Sequence, residues 1–304
     1  MLCSERELGL SDSHEGLMEL GDDAPLGKDI REYLNLDDVI VDLDLTPNRS
    51  DCLSVLGVAR ETALLNSMDV EFPDFLPTAA TIDDTVSVEL EAGEACSRFV
   101  GRVIRDINVK ADSPLWMKEK LRRSGLRSID PVVDITNYVM LELGQPLHAY
   151  DYAKLKGGIV VRHSKPEENC TLLDGSAVAL REGTLLITDD SGPIALAGVM
   201  GGLSTSVTES TRDIFLEAAF FAPGAIAGRA RSYGIVTEAG HRFERGVDWQ
   251  GQAKAIERAT ELLLEVVGGK SGPAIMTMDE SKLPQRQAVE LRASRVSRVL
   301  GVDI

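Results

Sequence analysis

Between Ile129 and Asp151 the chain reads IDPVVDITNYVMLELGQPLHAYD, which sets a helix start and a histidine close together. Asp134 has the character of an N-cap. Ile135, Tyr138 and Val139 recur on one helical face, and Gly144 followed by Pro146 stops the helix after about three turns. The first turn then carries Thr136 and Asn137, side-chain donors beside the free backbone N–H groups that a helix N-terminus offers to an anion or a polarised carbonyl oxygen. His148 falls just past the stop, and a polar ester would fit there. The same residues also admit a structural role, in which Asp134 and Asn137 cap the helix and His148 satisfies a loop.

A second group lies further on. DIFLEAAFF, residues 213–221, has strand character, with Glu217 set among Phe215, Leu216, Ala218, Ala219 and Phe220. Alternation puts Glu217 on the face of Phe215 and Ala219, so it either points outward or enters a pocket where a donor must meet it. A structural hydrogen bond would answer the same need. Upstream, GPIALAGVMGG holds Gly192, Gly198, Gly201 and Gly202 at spacings that match neither a dinucleotide fold nor a P-loop, which points to close approach of backbone to a bound group. Downstream, VTEAGHRFERGVD reads as a polar loop that gathers Thr237, Ala239, His241, Arg242 and Arg245.

The elements that must position these residues make a mixed, α+β chain. Val39, Val41, Leu43 and Leu45 alternate with Ile40, Asp42 and Asp44 as in a strand, TPNRSD turns the chain, and a helix follows with Leu53, Leu56, Ala59 and Ala63 on one side, ending near Met68. EFPDFLPTAATIDDT, with Pro73 and Pro77 and no periodicity, reads as a linker. From Val86 the pattern changes to short strands and glycine turns. VSVEL and RFVGRVI are strands, and Ser113, Pro114 and Gly125 bracket a helix as N-cap, first-turn proline and stop. GGIVVRH, CTLLDGSAVAL with a two-residue hairpin turn at Asp174-Gly175, and LLITDD add strands, and APGAIAGRARSYG reads as a short helix. A long helix from about Gln252 to Val267 faces inward through Ile256, Ala259, Leu263 and Val266, GGKSG closes the unit, and RQAVELRA with SRVSRVLGVDI begins another strand–helix pair.

Composition bounds the function. With 304 residues and 43% apolar content the chain can bury a core of two or three domains, and no run approaches the ~18 apolar residues of a membrane span. Cys3, Cys52, Cys96 and Cys170 lack C-x-x-C spacing, so neither a zinc site nor a disulfide framework is indicated, and a reducing cytoplasm is the expected compartment. The net charge of −17 is uneven: residues 1–100 hold 23 acids against 6 bases, and residues 101–304 hold 26 of each. Lys118, Lys120, Arg122, Arg123 and Arg127 form one basic cluster, and Arg229, Arg231, Arg242 and Arg245 bracket a second, as phosphate contacts or as ordinary solvated helix faces.

DLTPNRSDCLSVLGVARE, LRSIDPVVDITNYVMLELGQPLHAYD, ALAGVMGG, LEAAFF and HRFERGVD, in that order, resemble the central part of the beta subunit of bacterial phenylalanine-tRNA ligases over nearly the whole chain. The resemblance implies that residues 1–35 are the tail of an OB-like tRNA-binding domain, 36–76 the second half of the subunit's first domain, 81–278 an editing domain and 283–304 the start of a DNA-binding-like domain. It implies hydrolysis of tyrosine mischarged onto phenylalanine tRNA. A pocket shaped for phenylalanine rejects a hydroxylated near-isostere only ~10²-fold, so a second site must remove the error. Site residues implied are His148, Thr136, Asn137 and Thr237 at the ester or terminal ribose, and Glu217, Gly201, Ala239 and Arg127 in binding. Glu217 would accept the phenol, Gly201 and Ala239 would leave room for the ring, and Arg127 would meet a phosphate. No nucleophile with a base partner is visible, which leaves a positioned water as attacker. The partners implied are phenylalanine tRNA and an alpha subunit in an α2β2 assembly, with no membrane. ATP and Mg belong to the whole ligase, and no cofactor is expected within this segment. The alternative is a non-catalytic module that docks tRNA or the alpha subunit.

Overall fold

In the computed structural model, which describes residues 3–10, 16–22, 24–72 and 75–303, helices and mostly antiparallel strands form the expected α+β class. Helices α1 (Ile30–Tyr33) and α2 (Val55–Leu65) come first, followed by β1 (Val88–Leu90), β2 (Arg98–Arg105), α3 (Leu115–Arg123) and α4 (Pro131–Leu143). Then come β3 (His148–Asp151), β4 (Ile159–His163), β5 (Asn169–Thr171), β6 (Ala177–Ala179), β7 (Leu185–Asp189), β8 (Gly192–Leu196), β9 (Met200–Gly201) and β10 (Ile214–Phe220). Helices α5 (Pro223–Ile226), α6 (Arg229–Ser232), α7 (Glu238–Arg245) and α8 (Gln252–Val266) follow, and β11 (Lys270–Ser271), β12 (Ile275–Met278) and α9 (Ala293–Leu300) complete the order.

One sheet runs β1-β4-β7-β8-β9, a second runs β11-β2-β10-β3 with β12 also on β2, and β5-β6 is a separate hairpin. Period-two alternation splits the second sheet cleanly. Val100, Ile104, Ile214, Leu216 and Ala218 pack in one cluster with α3, α4 and α8, while Phe99, Val103, Tyr150, Phe215 and Ala219 pack in another with the first sheet. The site lies in that second layer, between the two sheets.

Several elements depart from the sequence expectations, each for a physical reason. The N-cap of α4 is Asp130, whose carboxylate accepts from the N–H groups of Val132 and Val133, with Pro131 at the first helical position. Asp134 is one turn inside the helix and buried, accepting from Ser113 Oγ at 2.6 Å, Ser128 Oγ at 2.5 Å and the Ile129 N–H at 2.8 Å. Ser113 therefore serves Asp134 and does not cap α3, whose N-cap is Pro114. Gly144 ends α4 as expected, in the left-handed conformation with φ of 80°. The expected polar loop at 236–248 contains helix α7 instead, because Thr237 caps it by accepting from the Gly240 N–H at 3.0 Å and Arg242 and Phe243 turn inward.

Residues 39–45 form no strand, and Val39, Ile40 and Val41 are exposed, since no neighbouring strand among the described residues offers a ladder. The same holds for the stretch before α9. APGAIAGRARSYG gives two short helices, α5 and α6, and the Asp174-Gly175 turn belongs to a five-residue connection spanning 172–176. The linker is tied down from Thr78 onward: its N–H donates to Glu257 Oε2 at 2.7 Å, and Ser271 Oγ donates to the Ala79 carbonyl at 3.1 Å. Pro73 and Asp74 of that stretch, parts of residues 1–35 and Ile304 lie outside the described residues.

Candidate functional site

Pairing of β3 with β10 sets His148 opposite Glu217 and Tyr150 opposite Phe215. Alternation on both strands sends all four side chains to the face that meets the first sheet. There the Tyr150 hydroxyl donates to Glu217 Oε2 at 2.5 Å, a diagonal contact within reach of an aromatic side chain. The His148 ring stands edge-on to the Tyr150 ring at 4.5 Å, and Tyr150 is flanked by Phe215 at 6.3 Å.

A cavity of about 70 Å³ opens between these strands and the turn joining β8 to β9. Its walls include His148, Tyr150, Ala197, Gly201, Glu217 and Ala239. That is about half the ~150 Å³ apolar cavity that holds benzene, so a ring entering here needs the walls to give way. Gly201 is required by geometry: a Cβ there would stand 2.4 Å from His148 Cε1 and 2.6 Å from Nε2. The turn at 197–199 is fixed from the helix side, because Thr237 Oγ1 donates to the Val199 carbonyl at 2.9 Å while capping α7. Phe221 and Phe243 close the bottom in an edge contact at 5.0 Å.

The electrostatics follow from enclosure. Burial pushes the Glu217 carboxyl up to about 7, against the Tyr150 hydrogen bond that favours its ionised form. Burial pushes His148 down to about 4, so its ring is neutral near pH 7, and Nε2 is buried without a hydrogen-bond partner among the described residues. The Tyr150 phenol is held well above its usual range by burial and the Glu217 charge. Two thiols lie near this layer. Burial raises Cys170 to about 11 and raises Cys96 further, with the Glu217 charge adding to the second, so neither supplies a thiolate at neutral pH.

The structure thus brings His148, Gly201, Glu217 and Ala239 onto one cavity, with Thr237 holding part of its wall. Thr136, Asn137 and Arg127 do not line it. Thr136 Oγ1 donates to the Val133 carbonyl at 2.8 Å within α4, Asn137 sits in the second turn of that helix, and Arg127 is exposed. With the helix starting at Asp130, no free backbone N–H is left beside Thr136 or Asn137. The basic clusters are partly neutralised inside the chain. Arg122 and Arg123 pair with Glu119, Arg123 also reaches Asp38 at 2.6 Å, and Arg242 is buried on Glu238 and the Leu53 carbonyl. Sequence reasoning passed over Tyr150, although its place two residues after His148 on a strand was signal enough to put both rings on one face.

A family model described as B3/4 domain matches residues 95–268. Phenylalanine--tRNA ligase beta subunits are similar over the entire length: that of Hahella chejuensis is 58% identical over 304 residues, all of this chain and 38% of that protein. The beta subunit of Idiomarina loihiensis is 56% identical over the same 304 residues, again 38% of its length. An N-terminal fragment of the phenylalanyl-tRNA synthetase beta subunit from Pyrococcus horikoshii aligns over 91% of this chain and 81% of its own, with TM-score 0.43 and 15% identity, too remote to carry an argument. The chain spans about 38% of the length of the curated relatives it matches. It belongs, by the match over residues 95–268, to the B3/4 domain family, and along its full length it is similar to the phenylalanine-tRNA ligase beta subunit.

Proposed function

We propose that this chain is the editing portion of a phenylalanine-tRNA ligase beta subunit and hydrolyses the ester that joins tyrosine to phenylalanine tRNA. The observation that carries the proposal is the pairing, on one apolar cavity, of a buried carboxylate suited to a phenol with an imidazole nitrogen that is unpartnered among the described residues and suited to a water. The amino-acid ring enters beside Ala239 and Gly201, and its hydroxyl meets Glu217. Phenylalanine lacks that hydroxyl and leaves the second carboxylate oxygen unmet, which is the stronger form of discrimination. His148, neutral near pH 7, orients a water through Nε2 toward the ester carbonyl. With its basicity depressed to about 4, it holds the water in place more than it removes a proton. The ester is already activated, so positioning supplies much of the acceleration.

Thr237 acts through the Val199 turn, and Thr136, Asn137 and Arg127 fall to the tRNA end outside the cavity. Phenylalanine tRNA and an alpha subunit are the partners, and ATP with magnesium serves aminoacylation in the alpha subunit. The glycines of 192–202 do not fit a phosphate cradle: a Cβ on Gly202 would meet the Ile194 carbonyl at 2.4 Å, so this glycine lets strand approach strand. Incubating the chain with tyrosyl- and phenylalanyl-tRNA for phenylalanine tests the proposal. Release of tyrosine well ahead of phenylalanine is expected, and a chain inert toward both overturns it. The exposed apolar run Val39 to Val41 favours docking of a partner as an additional role for residues before the editing portion.

A further inference from the structure

Glu217 has two oxygens, and its own chain already occupies one. Tyr150 Oη donates to Oε2 at 2.5 Å, and Tyr150 is itself fully buried, clamped between the His148 ring at 4.5 Å and Phe215 at 6.3 Å. Among the described residues no protein group donates to Oε1, and Glu217 lines the cavity. A carboxylate free at both oxygens could turn about its last bond and present either one, or a protonated face. One held at Oε2 by a clamped phenol presents a single oxygen in a fixed direction.

We propose that Tyr150 is a positioning residue that determines specificity at this site: by donating to Glu217 Oε2 it fixes the carboxyl group and aims Oε1 at the hydroxyl of a bound tyrosyl group. The inference rests on the editing proposal for its substrate and goes beyond it in assigning the second phenol. Two phenols then share one carboxylate, the resident one as a permanent donor and the substrate's as the one that is read.

The groups facing Glu217 leave Tyr150 as the one able to set its charge. Among the residues lining the cavity, His148, Tyr150 and Glu217 alone titrate. His148 stays neutral by burial, and the thiols of Cys96 and Cys170 near this layer are raised by burial and stay protonated. Against burial, which favours the neutral acid, the Tyr150 hydrogen bond is the opposing influence on Glu217. A phenol bonded to an ionised carboxylate is held more strongly than one bonded to a neutral acid, and the difference amounts to about tenfold in discrimination.

Tyr150→Phe deletes one oxygen and leaves the ring. In the full chain, the ratio of tyrosyl to phenylalanyl ester hydrolysis is measured from pH 5.5 to 9 for wild type and variant. Wild type is expected to gain discrimination as pH rises through about 7, where Glu217 ionises. In the variant that rise should move up by roughly one pH unit, and the ratio at pH 7, where the ionised fraction drops from about a half to about a tenth, should fall by about threefold. Replacing Tyr150 by 3-fluorotyrosine, a more acidic phenol and better donor, should move the rise the opposite way. The infrared carboxyl band of Glu217, identified by its loss in Glu217→Gln, reports the same titration without any substrate. An unchanged ratio and midpoint in Tyr150→Phe, or a band that titrates identically in variant and wild type, overturns the role of Tyr150 while leaving the editing proposal intact. A wild-type chain that hydrolyses neither ester overturns the editing proposal and the specificity role with it.

Discussion

The second sheet carries a buried charge on each face, one residue apart in register, and the two are treated in opposite ways. Arg102 on β2 stands opposite Leu216, on the face packed by α8, and Glu217 on β10 stands opposite Gly101, on the face toward the cavity. Arg102 is saturated: Nε donates to the Gly272 carbonyl at 2.7 Å, one terminal nitrogen to Glu257 at 2.9 Å and the other to the Thr78 carbonyl at 2.5 Å. It ties β2, α8, the linker and the chain entering β12 together. Among the described residues Glu217 has one protein donor and a free oxygen beside a cavity. A buried charge with every partner supplied fixes structure, whereas one left half-satisfied is held ready for something that arrives.

The largest effect should come from breaking the saturated side. Arg102→Ala leaves two carbonyls without their donor and Glu257 with the Thr78 N–H but no charge partner, and loss of one partner of a buried charge network costs about 3–5 kcal/mol. A large drop in the urea midpoint is expected, and a drop under 1 kcal/mol would show that Arg102 is not the tie it looks to be.

Removing charge on the other face should do the reverse. Glu217 is raised from 4.5 to about 7, so the folded state holds a proton that the unfolded state releases between those values. Its contribution to stability is therefore fully present below about 4.5 and lost as pH rises through about 7. Glu217→Gln abolishes that loss, and at pH 8 it should be more stable than wild type by about 3 kcal/mol at most, with tyrosine preference reduced. His148 runs the other way: lowered from 6.5 to about 4, it gives stability that is present above 6.5 and lost as pH falls toward 4. A stability–pH curve for Glu217→Gln that parallels wild type from pH 5 to 8 would place the carboxylate in water instead.

Gly201→Ala tests the approach that holds the imidazole. A methyl 2.4 Å from Cε1 must push the ring aside, and misplacement of about 1 Å costs about 10²-fold in rate. Both ester hydrolyses should fall together. A fall confined to the tyrosyl ester would show that Gly201 acts only by leaving room for the amino-acid ring, with the imidazole undisturbed.

The class of the fold and the placing of Glu217 and His148 were legible because they rest on local pattern. Alternation in β10 gave the face of Glu217, and Gly144 with Pro146 gave the end of α4 and hence a His148 just past it, though not the strand that His148 begins. What was not legible depends on contacts far apart in sequence. Asp134 looked like a cap because its acceptor capacity was visible, while Ser113, 21 residues away, was not known to be its donor. Arg102 read as an ordinary strand residue because Gly272 and Glu257 lie more than 150 positions along the chain. Helix α7 was hidden by its own charge: Glu238, His241, Arg242, Glu244 and Arg245 look like loop residues until Arg242 is seen turned inward onto the Leu53 carbonyl.

The smallest effect concerns Thr237, where a cap and a site residue coincide. Its hydroxyl accepts from the Gly240 N–H at 3.0 Å and donates to the Val199 carbonyl at 2.9 Å, so one oxygen starts α7 and fixes the turn that walls the cavity. Loss of an N-cap hydroxyl costs about 1 kcal/mol, and Thr237→Ala should lower stability by that amount. The freed Val199 carbonyl lets the wall drift, so both ester rates should fall by less than in Gly201→Ala. Thr237→Ser keeps both hydrogen bonds and should restore stability and rates together. If Thr237→Ala instead slows hydrolysis at full stability, the hydroxyl is touching the ester or ribose itself, and the half-satisfied face of the sheet extends one residue further than the cavity lining now marks.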